Sequence, residues 1–215
     1  MTRNKQAIVI DFDGTFIKIN SFELFVKYIL LYSVTHFNLR IFIFLFIEVL
    51  KRKLRLESHK EMKKNILYFL DKKIDKKILS IFIIKLKNSV NNKVLEILKK
   101  KKEEGFIIIL SSAAPEFYLN LFIQHFTHLF DFSLSTPTPK SYRDLSWFEN
   151  IGITKCEHTI KLLQKNNLNF SIFMTDHYDD IPLLEIEKFK NIIVNPSEHT
   201  INKLQERNIN YYILK

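Results

Sequence analysis

Short apolar runs, each closed by a polar or turn-forming residue, recur along this chain. Ala7-Ile8-Val9-Ile10 is the first, and its β-branched residues fit a parallel strand buried on both faces. Phe106 to Leu110, Phe130 to Leu134, Phe170 to Met174, Ile192 to Val194 and Tyr211 to Leu214 repeat the pattern. Helical periodicity fills the intervals. Residues 89 to 104 place Val94, Leu95, Ile97 and Leu98 on or near one face. Pro115 suits the first turn of a helix carrying Leu119, Phe122, Ile123 and Phe126. An amphipathic stretch opens at Lys155. Thr136 to Gly152 reads as irregular, with room for a short hairpin. Strands alternating with helices imply right-handed parallel crossovers and a doubly wound α/β core.

One interval breaks the alternation. Residues 17 to 88 read as helical throughout, and no Pro or Gly occurs between Gly14 and Gly105. The expected organisation is a core made of residues 1 to 16 and 89 to 215, with residues 17 to 88 inserted as a helical unit.

Chemistry gathers at the ends of the apolar runs. Asp11-Phe12-Asp13-Gly14-Thr15 follows the first strand at once. Open α/β sheets bind ligands at the carboxyl ends of their strands. The second run is closed by Ser111-Ser112-Ala113-Ala114-Pro115-Glu116, and the fourth by Thr175-Asp176-His177-Tyr178-Asp179-Asp180. Asp-x-Asp-Gly also occurs in plain turns and calcium loops, so the first motif alone does not decide a function.

Acid pair, hydroxyl, lysine and acid cluster occur here in that order, and over nearly its whole length the chain resembles the haloacid dehalogenase superfamily. It is most similar to the phosphoserine-phosphatase-like branch, in which a helical cap follows the first motif. The resemblance implies a mainly parallel, Rossmann-like sheet and a phosphomonoesterase. It implies Asp11 as nucleophile and Asp13 as general acid, then base. Ser112 and Lys155 would bind phosphate. Gly105 and the Ser-Ala-x-Pro-Glu pattern select Ser112, while Ser111 stays open as the alternative. Mg²⁺ would be held by Asp11, the backbone carbonyl of Asp13, Asp176 and, through water, Asp180. Asp179 is expected to be a helix N-cap instead. Two departures stand out. Cys156 follows Lys155 where the family commonly has Gly. Asn20 stands nine residues after Asp11, where phosphoserine phosphatases have a Glu for the substrate amine, which argues against phosphoserine. Asn20-Ser21-Phe22 is similar to the cap entry of a broader branch that includes phosphatidylglycerophosphatase C-type enzymes. A non-catalytic membrane-associated module, or a phosphotransferase using the same intermediate, remains a competing reading.

Composition adds three constraints. A single cysteine excludes an internal disulfide. No cleavable leader pattern precedes the first strand, so the catalytic part is expected in the cytoplasm. The net charge of +10 is concentrated in Lys51 to Arg55, Lys72 to Lys77 and Lys99 to Lys102. No recognised nucleic-acid motif accompanies these runs, and nucleic acid is not an expected partner. The expected partner is a phosphorylated small-molecule or lipid substrate. Leu24 to Leu50 is dense in Phe, Ile and Leu, but charges interrupt it before the roughly 18 to 20 residues of a spanning helix. Two readings stay open for it: a buried cap or dimer interface, or an interfacial anchor on an anionic membrane at the inner face of the cell membrane. Oligomeric state is not legible.

Overall fold

A computed structural model describes residues 5–71, 73–186 and 190–215. Lys72, within the second basic run, lies outside the described residues. Six strands form one sheet: β1 (Gln6–Ile10), β2 (Ile107–Pro115), β3 (Phe132–Thr136), β4 (Asn169–Thr175), β5 (Lys190–Val194) and β6 (Tyr212–Leu214). Their order is β3-β2-β1-β4-β5-β6, and every neighbouring pair is parallel. The order reverses between β1 and β4, the crevice where open α/β sheets take their ligands.

Both faces of the sheet are covered, as the apolar runs require. Ile8, Ile10, Ile108 and Leu110 point into one core, and Ala7, Val9 and Ile109 into the other, with the period of two that a strand imposes. The second face packs against α7 (Gly152–Lys165), the short α8 (Ile181–Leu184) and α9 (Glu198–Glu206), through Leu163, Leu183 and Leu204. The first face packs against α5 (Asn92–Glu103) and α6 (Glu116–Ile123).

Four more helices lie between the first motif and α5: α1 (Ser21–Thr35), α2 (Leu39–Lys53), α3 (His59–Leu70) and α4 (Lys76–Lys87). Each starts at a polar residue whose side chain accepts from the first turn: Asn20, Asn38, Ser58 and Asp75. These caps satisfy backbone donors that the helices cannot pair internally, and they punctuate a segment that has no Gly or Pro. The segment leaves and re-enters the core at one place. Lys18 N donates to Ser89 O at 2.9 Å, and Asn91 N donates to Phe16 O at 2.9 Å. Phe25, Phe82, Tyr118 and Phe122 join these helices and the sheet in one aromatic core.

Several local expectations need correction. The helix expected from Lys155 starts at Gly152, three residues earlier. Pro115 is the last residue of β2 and the N-cap of α6, outside its first turn, where an extended backbone (ψ 134°) still serves the strand. Residues 137–151 contain no strand among the described residues, so no hairpin forms there; turns and bends carry the chain. Trp147 pins this stretch by donating from its indole N–H to Pro137 O at 2.7 Å.

A buried ion pair ties the inserted helices to this loop. Lys63 on α3 is 3 % exposed and donates to the Glu149 carboxylate, and also to Ala113 O at 2.9 Å. Removing the cation alone would strand a buried charge. Lys63→Met is therefore expected to lower stability by about 3–5 kcal/mol, read from urea unfolding. Lys63→Met with Glu149→Leu should recover much of that loss.

Candidate active site

The loop after β1 is shaped by one inward residue. Phe12 is fully buried against Phe122, at a ring distance of 5.0 Å, and this turns Asp11 and Asp13 toward the cavity. Asp11 N still pairs with Met174 O at 2.9 Å, so the nucleophile candidate sits on the β1–β4 ladder. Gly14 has φ +71°, a region that side chains disfavour. A Cβ there would lie 2.1 Å from the Asp176 carboxylate, so the loop and Asp176 can meet only at a glycine. Thr15 Oγ1 donates to Asp176 Oδ1 at 3.2 Å.

Lys155 lies in the first turn of α7, 3 % exposed. Its Nζ donates to Asp11 Oδ1 at 2.6 Å and to Asp180 Oδ2 at 2.8 Å. Thr175 Oγ1 also donates to Asp180 Oδ2, at 2.7 Å. Burial disfavours the ammonium, yet Asp11 and Asp180 outweigh it and hold Lys155 above its ordinary pKa. Burial pushes the Asp11 carboxyl upward, against the pull of Lys155. Cys156 points away: its thiol donates to Pro182 O at 3.3 Å, so it does not block the lysine.

Asp13 Oδ1 accepts from Ser21 N at 3.0 Å, the first residue of α1. Ser21 Oγ shares a hydrogen bond of 2.7 Å with the Tyr118 hydroxyl. Burial lifts Asp13 to about 7 against the bond from Ser21, and it lifts Asp176 to about 6 against the pull of His177.

The two serines part company at the end of β2. Ser111 Oγ pairs with Thr159 Oγ1 on α7 at 3.0 Å, a packing contact. Ser112 is buried, with Oγ accepting from Ala114 N at 3.0 Å, and Ala113 is the β2 residue that lines the cavity. Asp179 does not cap a helix. Asp180 holds the N-cap position of α8, and Asp179 pairs instead with His177 Nδ1 at 3.2 Å.

The cavity measures about 410 Å³ and is lined by Asp11, Asp13, Gly14, Asn20, Lys155 and Asp176, among others. Asn20 is committed as well: its side chain accepts from Glu23 N at 2.9 Å and caps α1. Sequence reasoning missed Asn150. Fully buried, it donates to Ser112 O at 3.1 Å and Leu134 O at 3.4 Å, tying β2 and β3 to the start of α7. A lone Asn in an irregular stretch carries no signal of that role. Thr15 and Thr175 had a signal, since Thr175 adjoins Asp176 and Thr15 lies two residues after Asp13.

Among the described residues, no three His, Cys, Asp or Glu side chains converge in the manner of a metal cage. Mg²⁺ does not need one, because it commonly takes one or two carboxylates and keeps several waters. Asp176 pressed against the Gly14 backbone, beside Asp11, fits that requirement in donor type. Asp180 is already engaged by Lys155 and Thr175.

A parallel sheet of this order, with paired aspartates at its switch point and a buried lysine between acids, defines a doubly wound α/β fold with its polar site at the strand ends. The chain belongs to the haloacid dehalogenase-like hydrolase family, whose model matches residues 8–185. Among curated proteins, none matches the sequence. Solved structures do. A protein of unknown function from Bordetella pertussis Tohama I is 16% identical with a TM-score of 0.75, covering 99% of each chain. A phosphoserine phosphatase described as a phospho-aspartyl intermediate analogue is 14% identical with a TM-score of 0.62, covering 99% of this chain and 95% of that one. A phosphoserine phosphohydrolase-like protein from Francisella tularensis is 20% identical with a TM-score of 0.59, covering 97% and 94%. These likenesses concern the fold.

The raised acids make a pH prediction. Folded Asp13, at about 7 against an ordinary 3.8, keeps a proton that the unfolded chain has already lost. Its contribution is fully present below pH 3.8 and is lost as pH rises through about 7. In metal-free buffer, the fall in melting temperature between those limits should be smaller for Asp13→Asn than for the native protein.

Proposed function

We propose that the protein is a Mg²⁺-dependent phosphomonoesterase working through an aspartyl-phosphate on Asp11. The observation that carries this reading is the Lys155 ammonium held between Asp11 and Asp180 beside a cavity that Asp13 and Asp176 also line. The Asp11 carboxylate attacks phosphorus, forming an O–P bond as the ester oxygen departs. Asp13 gives that oxygen its proton; an acid lifted toward neutrality is protonated often enough to do so. Water then attacks the same phosphorus while the Asp13 carboxylate takes its proton. Inorganic phosphate leaves and Asp11 is restored. Lys155 screens the acids and orients Asp11 throughout, and Ser112 is assigned to the transferring phosphoryl group.

Mg²⁺, held by Asp11, Asp176, the Asp13 carbonyl and, through water, Asp180, would supply charge neutralisation at the phosphate. We assign residues 1–16 and 89–215 to the catalytic core and 17–88 to a cap. Cavity walls at Lys18, Ile19 and Asn20 support the assignment, because they belong to the first residues of the insertion. The substrate is a phosphomonoester other than phosphoserine. Asn20 is neutral and already caps α1, so it supplies no counter-charge for an amine.

Phosphate release from an aryl phosphate tests the proposal. Asp11→Asn should reduce it to background while the fold survives, and Asp13→Asn should lower it by about 10²–10⁴-fold. Chelation of the metal should abolish release and added Mg²⁺ should restore it. Full activity in Asp11→Asn would refute the mechanism.

A further inference from the structure

Helix α2 is apolar on two sides. Ile41 and Leu45 face the interior with the buried Glu48, which accepts from Lys51 and from Asn65 of α3. On the opposite side, Leu39, Ile43, Phe46, Ile47, Leu50 and Leu54 are between 40% and 66% exposed. At 100° per residue these six fall in one stripe roughly 100° wide. The stripe continues into the α1–α2 turn, where Phe37 is 88% exposed. A contiguous exposed apolar face of this kind marks an interaction surface.

Charge identifies the occupant. From Leu31 to Leu56 the only acid is Glu48, which is 3% exposed. Arg40, Arg52, Lys53 and Arg55 are exposed on or just beyond the same helix, and none is in an ion pair among the described residues. A second copy docking by the same face would set cations against cations, with no exposed carboxylate between Leu31 and Leu56 to meet them. An anionic bilayer satisfies both halves, with acyl chains for the stripe and headgroups for the arginines and lysine. No helix among the described residues is long and apolar enough to cross a membrane, so the contact is interfacial.

We infer that the exposed face of α2, with the α1–α2 turn, docks the protein on an anionic lipid surface. The α1–α2 end of the contact stands apart from the site. The 15 residues of α1 put its far end about 22 Å from Ser21, which binds Asp13. Asp11→Asn should therefore bind vesicles as the native protein does.

Co-sedimentation with vesicles decides the matter, comparing phosphatidylcholine alone with phosphatidylcholine mixed with phosphatidylglycerol. Binding is expected only to the mixed vesicles at low ionic strength, and it should fall as salt is added. Phe46→Ser with Ile47→Ser should weaken it by on the order of tenfold or more. Arg52→Glu, Lys53→Glu and Arg55→Glu together should weaken it roughly 100-fold. All five side chains are exposed, and thermal melts of the variants verify their folding. No binding to mixed vesicles at low salt would overturn the inference, as would equal binding to the neutral ones. So would analytical ultracentrifugation showing a dimer that Phe46→Ser with Ile47→Ser dissociates.

Discussion

The burial of one ammonium holds the site together. Lys155 comes from α7, Asp11 from the end of β1 and Asp180 from the loop after β4, so three elements far apart in sequence converge on a single nitrogen. A buried carboxylate with no cation would be costly, and a buried lysine between two acids offsets that cost only while all three keep their geometry. The geometry is enforced from outside the triad. Thr175 fixes Asp180, the β1–β4 ladder fixes Asp11, and Asn150 anchors the strand ends just before α7 begins. The arrangement also leaves an acid excess, since among the described residues Asp13 and Asp176 have no lysine of their own within hydrogen-bond reach. Burial keeps both carboxyl groups above their usual range.

Much of this was legible in the chain. The parallel strands are short and apolar, so all six declared themselves, and the motif acids fell at strand carboxyl ends because sheet topology puts chemistry there. The family followed from four motifs in a fixed order. Strand order was not legible in any single run; it depends on crossovers that periodicity does not encode. The start of α7 was missed because Gly152 and Ile153 look like loop residues, and only the fold shows that the helix has already begun. The Lys63–Glu149 pair was invisible for a different reason. In a chain with 33 basic residues, one buried lysine is indistinguishable from its solvated neighbours.

The long apolar stretch shows the limit most clearly. Sequence left Leu24 to Leu50 open between burial and exposure, since leucine and phenylalanine read alike in either place. The fold divides it by residue: Phe25, Ile29, Ile41 and Leu45 are interior, while Leu31, Ile43, Phe46 and Leu50 face outward. A helix with two apolar sides has one more than internal packing uses.

The paired segments Phe16–Lys18 and Ser89–Asn91 carry a consequence of another kind. The chain departs for its four helices and comes back at a point where the outgoing and incoming backbones share hydrogen bonds. For the sheet, the excursion is equivalent to a tight turn between two adjacent positions. Over generations, such an excursion can lengthen, shorten or be exchanged without any strand changing its neighbour. The sheet and the four helices are thus joined by one backbone crossing, to which Ser21 with Asp13 and Lys63 with Glu149 add side-chain ties.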